Sequence, residues 1–299
     1  MKIPVIDFAE YDETEPSSIE RLAQEVDTAL SETGFMSIKN HGLSSELIHS
    51  MFAHAKAFFE SDTLSKNQLG YGSAEENFGY QGVGQEALDP GKPRDLKESL
   101  TIRNPYQHLD AQWPSNEFRD QCLIFFDELY KVAHRVMRVF SSALEVDSEY
   151  FVDKHKGDNV TFRLLHYPAL QAQLPDQMGA GAHTDYGMLT LLLQDMVGGL
   201  EVYDNKNDQW QTVDPVSESI VINTGDLTEH WTNGRYPSTL HRVKPRDGVS
   251  DRYSIAMFFD PDDDVIVDCL PSCVSVTNPA KYKPVNASEH ILAKIKATH

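Results

Sequence analysis

The chain has 299 residues, and its 26 Lys and Arg against 46 Asp and Glu give a net charge of −20. A charge of this sign repels nucleic-acid phosphates and anionic lipid, so we expect neither a nucleic-acid partner nor a membrane partner. Hydrophobic residues make up 40% of the chain and aromatic residues 10%, which is typical of a folded globular protein. We therefore expect a ligand that enters a local pocket.

The sequence also bears on compartment. The longest apolar runs, such as residues 189–193, fall far short of the ~20 residues that a bilayer-spanning helix needs, and Asp7 interrupts the N-terminus before a signal peptide could form. Three cysteines occur, Cys122, Cys269 and Cys273, and so sparse a set indicates a reducing compartment. Cys269 and Cys273 could share a metal, but no second Cys or Cys/His pair accompanies them, so ordinary thiols are favoured. These features predict a cytoplasmic protein and leave its oligomeric state open.

The first half of the chain has a helical rhythm. Ser17 and Glu20 fit a capping box at the start of an amphipathic helix that Gly34 would end. Residues 35–40 predict a short strand, and the apolar spacing over 47–59 predicts a second helix.

Two further features complete this half. Residues 69–93 contain six glycines and two prolines, which predicts a long loop. The longest helical apolar stripe then runs over 118–144 and predicts a core-facing scaffold helix.

From residue 159 the pattern changes to short β-rich runs separated by turn residues. The predicted strands are Thr161–Tyr167, Gly181–Asp185, Leu189–Gln194, Leu200–Tyr203, Trp210–Thr212, Ser219–Asn223, Thr239–Val243, Arg252–Phe259 and Val265–Val267. About eight strands suit a jelly roll, so the fold class is α+β, with a jelly-roll (double-stranded β-helix) core, a helix-rich N-terminal region and supporting helices. The acidic run 260–264 lacks the ligand spacing of a calcium loop, and a solvated turn is favoured.

One His-x-Asp pair lies in a setting that suits a metal. Two imidazoles and a carboxylate on one face of an ion suit non-haem Fe(II), and alternate residues of a strand, such as His183 and Asp185, share a face. Small neighbours surround this pair, and His241 on a later strand could supply the third ligand. The other such pair, His108-Leu109-Asp110, has no strand around it and is interpreted as surface.

A second group could bind a carboxylate. In Arg252-Tyr253-Ser254 the guanidinium and the hydroxyl alternate onto one strand face, where together they could clamp the distal end of a dicarboxylic acid. Taken alone, a surface arginine beside a strand serine is an equally good interpretation.

The ordered set of motifs resembles the 2-oxoglutarate- and Fe(II)-dependent dioxygenases, specifically the isopenicillin N synthase-like branch. The resemblance covers nearly the whole chain and rests on these segments: Ile3-Pro4-Val5-Ile6-Asp7-Phe8, Gly34-Phe35-Met36-Ser37-Ile38-Lys39-Asn40-His41-Gly42, Asp95-Leu96-Lys97-Glu98-Ser99, Arg163-Leu164-Leu165-His166-Tyr167-Pro168, His183-Thr184-Asp185, Asn223-Thr224-Gly225-Asp226, Trp231-Thr232-Asn233-Gly234-Arg235-Tyr236, His241-Arg242-Val243 and Arg252-Tyr253-Ser254.

The resemblance implies a role for each matching residue. The implied Fe(II) ligands are His183, Asp185 and His241. The implied contacts to the distal carboxylate of 2-oxoglutarate are Arg252, Ser254 and Tyr167. Leu165 departs from the asparagine that many plant members have there, which puts one polar contact in doubt. His166 is expected to face the opposite side of its strand as a core histidine, and Asp226 to lie in a turn without a catalytic role.

The resemblance further implies a reaction. Fe(II), 2-oxoglutarate and O2, with ascorbate in a supporting role, would oxidise a small organic molecule by hydroxylation, desaturation or ring closure and release succinate and CO2. The metal performs the redox step, so no catalytic residue is expected beyond its ligands. Phe78, Tyr80 and Phe258 are the predicted substrate contacts.

Four segments are predicted: an N-terminal non-haem dioxygenase region (1–105), a long scaffold helix with its connection (106–158), a jelly-roll Fe(II)/2-oxoglutarate core (159–270) and a C-terminal extension (271–299). Three alternatives stay open at this point. They are an iron oxidase of the same fold that does not use 2-oxoglutarate, a jelly-roll sensor that binds without turnover, and a zinc hydrolase, which is disfavoured because no general base stands out.

Overall fold

The computed structural model describes residues 3–170, 172, 174–246 and 250–298. The strands of the described chain are β1 (Val5–Asp7), β2 (Phe35–Lys39), β3 (Phe78–Gln81), β4 (Glu98–Arg103), β5 (Thr161–Tyr167), β6 (Ala180–His183), β7 (Leu189–Gln194), β8 (Leu200–Asp204), β9 (Gln209–Thr212), β10 (Ile220–Thr224), β11 (His241–Val243), β12 (Arg252–Phe259), β13 (Ile266–Val267) and β14 (Val285–Asn286). The α-helices are α1 (Pro16–Thr33), α2 (Ser45–Phe59), α3 (Thr63–Asn67), α4 (Asn116–Ala143), α5 (Asp226–Trp231) and α6 (Ala287–Thr298).

The strands form the two main sheets of a jelly roll. The large sheet has the order β1-β2-β10-β7-β12-β5-β4-β3, and the small sheet has the order β6-β11-β8-β9. Strand β1 pairs with β2 in parallel, and the other strand pairings within these two sheets are antiparallel. The predicted fold class is therefore confirmed.

The register of the central strands decides which side chains point between the sheets. Strand β12 pairs with β5 so that Arg252 lies opposite Tyr167 and Ser254 opposite Leu165. Because alternate residues of a strand share a face, these four side chains point to the same side of the large sheet. The bounds predicted for β5, β7 and β12 agree with the structure.

Helices cover the other face of the large sheet. The longest, α4, buries a stripe that includes Phe125, Leu129 and Phe140 and packs on α1. Helix α1 ends as predicted, because Gly34 adopts φ 68° and its N–H donates to the carbonyl of Leu30 at 2.8 Å.

The predicted start of α1 is wrong. The helix begins at Pro16, with Glu15 as its N-cap and no side-chain capping bond, so Ser17 lies inside the first turn. Proline suits this position because its missing N–H is one that the first turn leaves unpaired.

The predicted loop over 69–93 contains a strand. Residues 78–81 form β3, which pairs with β4 so that Phe78 lies opposite Ile102 and Tyr80 opposite Leu100. Gly79 adopts φ 121°, and a Cβ there would lie 2.7 Å from the Gly70 carbonyl oxygen. The glycine that indicates a loop in the sequence thus permits close backbone packing within a sheet.

The C-terminal helix α6 is tied to the jelly roll by charge. Lys294 lies 2.7 Å from a carboxyl oxygen of Asp226, and Lys296 lies 2.6 Å from one of Glu75.

All three cysteines are free thiols. Across the described ranges, none of the helices combines the length and the apolar character needed to cross a membrane.

Candidate metal centre and cosubstrate pocket

Three side chains converge between the two sheets, two histidines from neighbouring strands and an aspartate from the segment that follows β6. His241 on β11 lies directly across from His183 on β6, and Asp185 follows two residues after His183. The Nε2 atoms of His183 and His241 lie 3.8 and 3.6 Å from Oδ1 of Asp185. One ligand atom from each residue lies within 4.8 Å of the others, and this is the one such group of His, Cys, Asp and Glu in the described part of the chain.

Backbone hydrogen bonds fix both imidazoles. Nδ1 of His183 lies 2.8 Å from the carbonyl oxygen of Gly181, and Nδ1 of His241 lies 3.1 Å from that of Thr239. Because a carbonyl only accepts, each Nδ1 carries the proton and each Nε2 turns a lone pair toward the shared centre. This second hydrogen bond is the usual support of a metal-binding histidine.

The carboxylate of Asp185 is held in the same way. Its Oδ2 accepts hydrogen bonds from the Thr190 hydroxyl and, at 2.6 Å, from the Asn223 amide. Oδ1 is left to face the two imidazoles. Each residue of the triad therefore offers one free donor atom to the same point.

The charges of the triad suit a cation. Burial, helped by the neighbouring His241, lowers the pKa of His183, so the imidazole is neutral at pH 7. Burial alone would raise the pKa of Asp185, but the two imidazoles and the hydrogen bonds from Thr190 and Asn223 lower it. Neutral imidazole and ionised carboxylate are the forms that bind a metal. The residues therefore fit Fe(II), which this donor set suits.

A cavity of about 130 Å³ runs from the triad between the sheets. At one end lies Arg252, which is 1% exposed. Its guanidinium donates to the Ser254 hydroxyl at 3.3 Å and to Gln194 at 3.1 Å, and lies 4.7 Å from the centre of the Tyr167 ring. A buried cation that faces a cavity is suited to a carboxylate ligand.

Two predictions about β5 concern its opposite faces. Leu165 lines the cavity within an apolar cluster, so no side-chain amide lies there. His166 points the other way, as predicted: it is buried, its Nδ1 lies 2.7 Å from Glu98 and its ring stacks on Tyr253.

Sequence reasoning missed a set of buried charges on the cavity wall. Lys97 lies 2.5 Å from Asp95 and 3.3 Å from Glu86, and Arg163 lies 2.7 Å from Glu86 and from the Ser99 hydroxyl. Burial would lower the pKa of Lys97, but the two carboxylates outweigh it and raise the pKa, so the ammonium stays charged. The alternation of side chains along each strand was a signal for the facing directions of Ser99 and Arg163. Using it required knowing that β4 pairs with β5.

Of the three predicted substrate contacts, one lines the cavity and two do not. Phe258 lines the cavity. Phe78 and Tyr80 do not, because both point to the helical side of the large sheet. Phe78 stacks on His108 with ring centres 4.4 Å apart, and the Tyr80 hydroxyl donates to Glu98.

Two aspartates of the acidic run 260–264 are more buried than the sequence predicts. Asp260 and Asp262, expected in a solvated turn, are 8% and 7% exposed. Asp262 accepts the backbone N–H of Lys156, whereas Asp260 faces the cavity. Burial and the nearby Asp185 raise the pKa of Asp260 to about 7. Asp226, expected in a turn, instead begins helix α5, where its carboxylate accepts a hydrogen bond from the Ser238 hydroxyl and pairs with Lys294 of α6.

This arrangement, two histidines and an aspartate beside a buried arginine in a jelly roll, is that of a non-haem iron oxygenase. Residues 159–261 match the model of the 2OG-Fe(II) oxygenase superfamily, and residues 3–119 match that of the non-haem dioxygenase in morphine synthesis N-terminal family. The 2-oxoglutarate-Fe(II) type oxidoreductase hxnY of Emericella nidulans is 32% identical over 99% of this chain and 90% of its own length. The 2-oxoglutarate-dependent dioxygenase caaD of Aspergillus niger is 35% identical over 88% of this chain and 85% of its own.

Solved structures agree with this assignment. A full-length Neurospora crassa protein, solved in complex with alpha-KG, superposes with a TM-score of 0.88 at 29% identity, covering 98% of this chain and 96% of that one. The same protein with alpha-KG and thymine gives a TM-score of 0.88 at 28% identity, covering 99% and 96%. The chain belongs to the 2-oxoglutarate- and Fe(II)-dependent oxygenases, in the branch that carries the non-haem dioxygenase N-terminal region. It is thus an enzyme that uses Fe(II) and 2-oxoglutarate.

Proposed function

We propose that His183, Asp185 and His241 hold the ferrous ion and that Arg252 and Ser254, beside Tyr167, bind the distal carboxylate of 2-oxoglutarate. The observation that carries the proposal is one continuous cavity with three free donor atoms at one place and a buried guanidinium at another. The proposed activity is oxidation of a small organic molecule, with succinate and CO2 as co-products.

The iron, when bound, supplies the redox chemistry with O2. The residues of the chain supply position and shielding. The triad would supply three ligands to the ion, and Arg252 with Ser254 would orient a dicarboxylate toward it through charge-assisted hydrogen bonds. Apolar walls such as Leu165, Leu192 and Val243 exclude water from the cosubstrate region.

The substrate would occupy the part of the cavity lined by Phe258, Tyr186, Ile291 and Ile295. Thymine is a reference compound for the assay, because the Neurospora crassa relative binds it in a solved structure. Hydroxylation, desaturation and ring closure all begin with removal of a hydrogen from the substrate, and product analysis separates them. A cytoplasmic location, supported by the three free thiols, is part of the same proposal.

The experiment compares His183→Ala and His241→Ala with the matched control His49→Ala, which removes an exposed imidazole from α2. Iron content is measured after anaerobic loading with Fe(II), and succinate is measured with 2-oxoglutarate and ascorbate in air. We expect both triad variants to keep the wild-type circular dichroism spectrum while losing bound iron and succinate formation. Stoichiometric iron and wild-type turnover in either triad variant would reject the assignment.

A further inference from the structure

Asp260 extends the inward-facing row of β12 toward the substrate side. Arg252, Ser254, Ala256 and Phe258 alternate along the strand and all line the cavity. Asp260 comes two residues after Phe258 and also lines it. This row of inward-facing side chains therefore begins at Arg252, in the part of the cavity proposed to bind 2-oxoglutarate, and ends at the carboxyl group of Asp260.

Asp260 also marks the place where this cavity meets a second one beneath α6. Four other residues line both cavities together with Asp260: Asn77, Thr161, Ile291 and Ile295. A molecule that passes from the second cavity toward the triad therefore passes the Asp260 carboxyl.

The carboxyl has no partner of its own within the described part of the chain. Asp260 is 8% exposed, and no described group donates a hydrogen bond to it. Arg103, the nearby cation, is engaged by Asp263 instead. At Gly187 a Cβ would collide with Oδ1 of Asp260, so the glycine is what leaves room for the carboxyl. A buried polar group without a partner costs free energy, which a ligand can offset.

Within the described cavity lining, Arg252, Asp185 and Asp260 have no counter-charge on the protein. The proposed function pairs Arg252 with 2-oxoglutarate and Asp185 with iron, which leaves Asp260. Among the described lining residues, the cations Lys97 and Arg163 already lie against Glu86, and Arg252 lies at the other end of β12. The ionised form of Asp260 would repel a carboxylate substrate, whereas a cationic group would pair with it and favour the ionised form.

We propose that Asp260 binds a basic nitrogen on the substrate, so that the substrate class is a small amine whose apolar part packs on Phe258. This inference rests on the proposed function and adds the chemistry of the substrate to it. The aromatic and aliphatic walls, Phe258, Tyr186, Ile291 and Ile295, suit the apolar part of such a molecule.

The test uses three probes that share one ring and differ in one group: benzylamine, benzyl alcohol and benzoate. Their binding to the protein loaded with Fe(II) and 2-oxoglutarate is measured by calorimetry without oxygen, for the wild type and for Asp260→Asn. Asp264→Asn, which removes an exposed carboxyl from the same turn, is the matched control.

We expect the wild type and the control to bind benzylamine at least tenfold more tightly than benzyl alcohol or benzoate. Asp260→Asn should lose that preference, a change of about 1.4 kcal/mol or more. Its melting temperature should not fall, because the carboxyl has no protein partner to lose. A preference that survives in Asp260→Asn, no benzylamine binding to the wild type, or a melting temperature lowered by the substitution would each overturn the proposal.

Succinate formation without added substrate separates this inference from the function on which it rests. If the wild type forms succinate from 2-oxoglutarate but shows no preference for benzylamine, the amine proposal fails and the oxygenase stands. If the wild type forms no succinate, the proposed function fails as well.

Discussion

Replacing Arg252 by glutamine tests the cosubstrate site. The substitution removes the charge of the guanidinium, whose hydrogen-bond partners are Ser254 and Gln194, and leaves a neutral amide. Breaking a buried, hydrogen-bonded charge pair typically costs about 2–5 kcal/mol, of which 2 kcal/mol already corresponds to roughly 30-fold in affinity. Because Arg252 is 1% exposed, water screens little of this loss. We therefore expect the 2-oxoglutarate concentration for half-maximal succinate formation to rise at least 30-fold.

Two matched variants sharpen the assay. Arg252→Lys keeps the charge but loses the planar fork, so its requirement for 2-oxoglutarate should fall between the wild type and Arg252→Gln. Arg242→Gln, which removes a guanidinium paired with Glu201 and does not line the cavity, should leave the requirement unchanged. Iron content should be normal in all three, since none of these residues is a proposed ligand. An unchanged requirement in Arg252→Gln would refute the reasoning and move the carboxylate site elsewhere.

Two further predictions concern residues that hold other parts of the protein in place and do not themselves contact iron or 2-oxoglutarate. Asn223→Ala removes one hydrogen bond from Asp185 and should weaken Fe(II) affinity about 10- to 100-fold, measured by competition with a chelator; unchanged affinity would contradict the supporting role. Asp226→Asn should weaken the attachment of α6, because Lys294 and His290 lose a carboxylate partner, and lower the free energy of unfolding by about 1–3 kcal/mol. Burial would raise the pKa of Asp226, but its hydrogen bonds lower it, so its stabilisation is present above the unfolded-state pKa of about 4 and is lost as pH falls below that. The wild-type melting temperature should therefore fall more steeply than that of the variant below about pH 4, and parallel curves would be the contrary result.

The sequence predicted best where a repeating pattern and a local spacing carry the information. Strand β12 was predicted with correct bounds because a continuous run of strand-forming residues extends from Arg252 to Phe259 and the turn residues Asp260 and Pro261 follow it. His183 and Asp185 were found as a pair because a strand over residues 181–185 would put both on one face. In the structure β6 ends at His183, and Asp185 lies two residues beyond it. Joining His241 to them required only that both strands lie in one sheet, where the structure places them as direct neighbours.

What could not be predicted depends on long-range pairing. Nothing local shows that Phe78 and Tyr80 point toward the helices, because their face is set by pairing with β4. The acidic run at 260–264 looks solvated by composition, yet Asp260 is buried because it continues the inward row of β12. Contacts between distant segments, such as Glu86 with Arg163, leave no short-range pattern in a single sequence.

The account depends most on three side chains sharing one metal ion. A crystal grown without oxygen, with Fe(II) and 2-oxoglutarate, and measured at the iron absorption edge tests this directly. We predict a single strong anomalous peak about 2.0–2.2 Å from Nε2 of His183, Oδ1 of Asp185 and Nε2 of His241, within the usual range of metal–nitrogen and metal–oxygen distances. A peak bound to other residues, or imidazoles turned away from a shared ion, would contradict it.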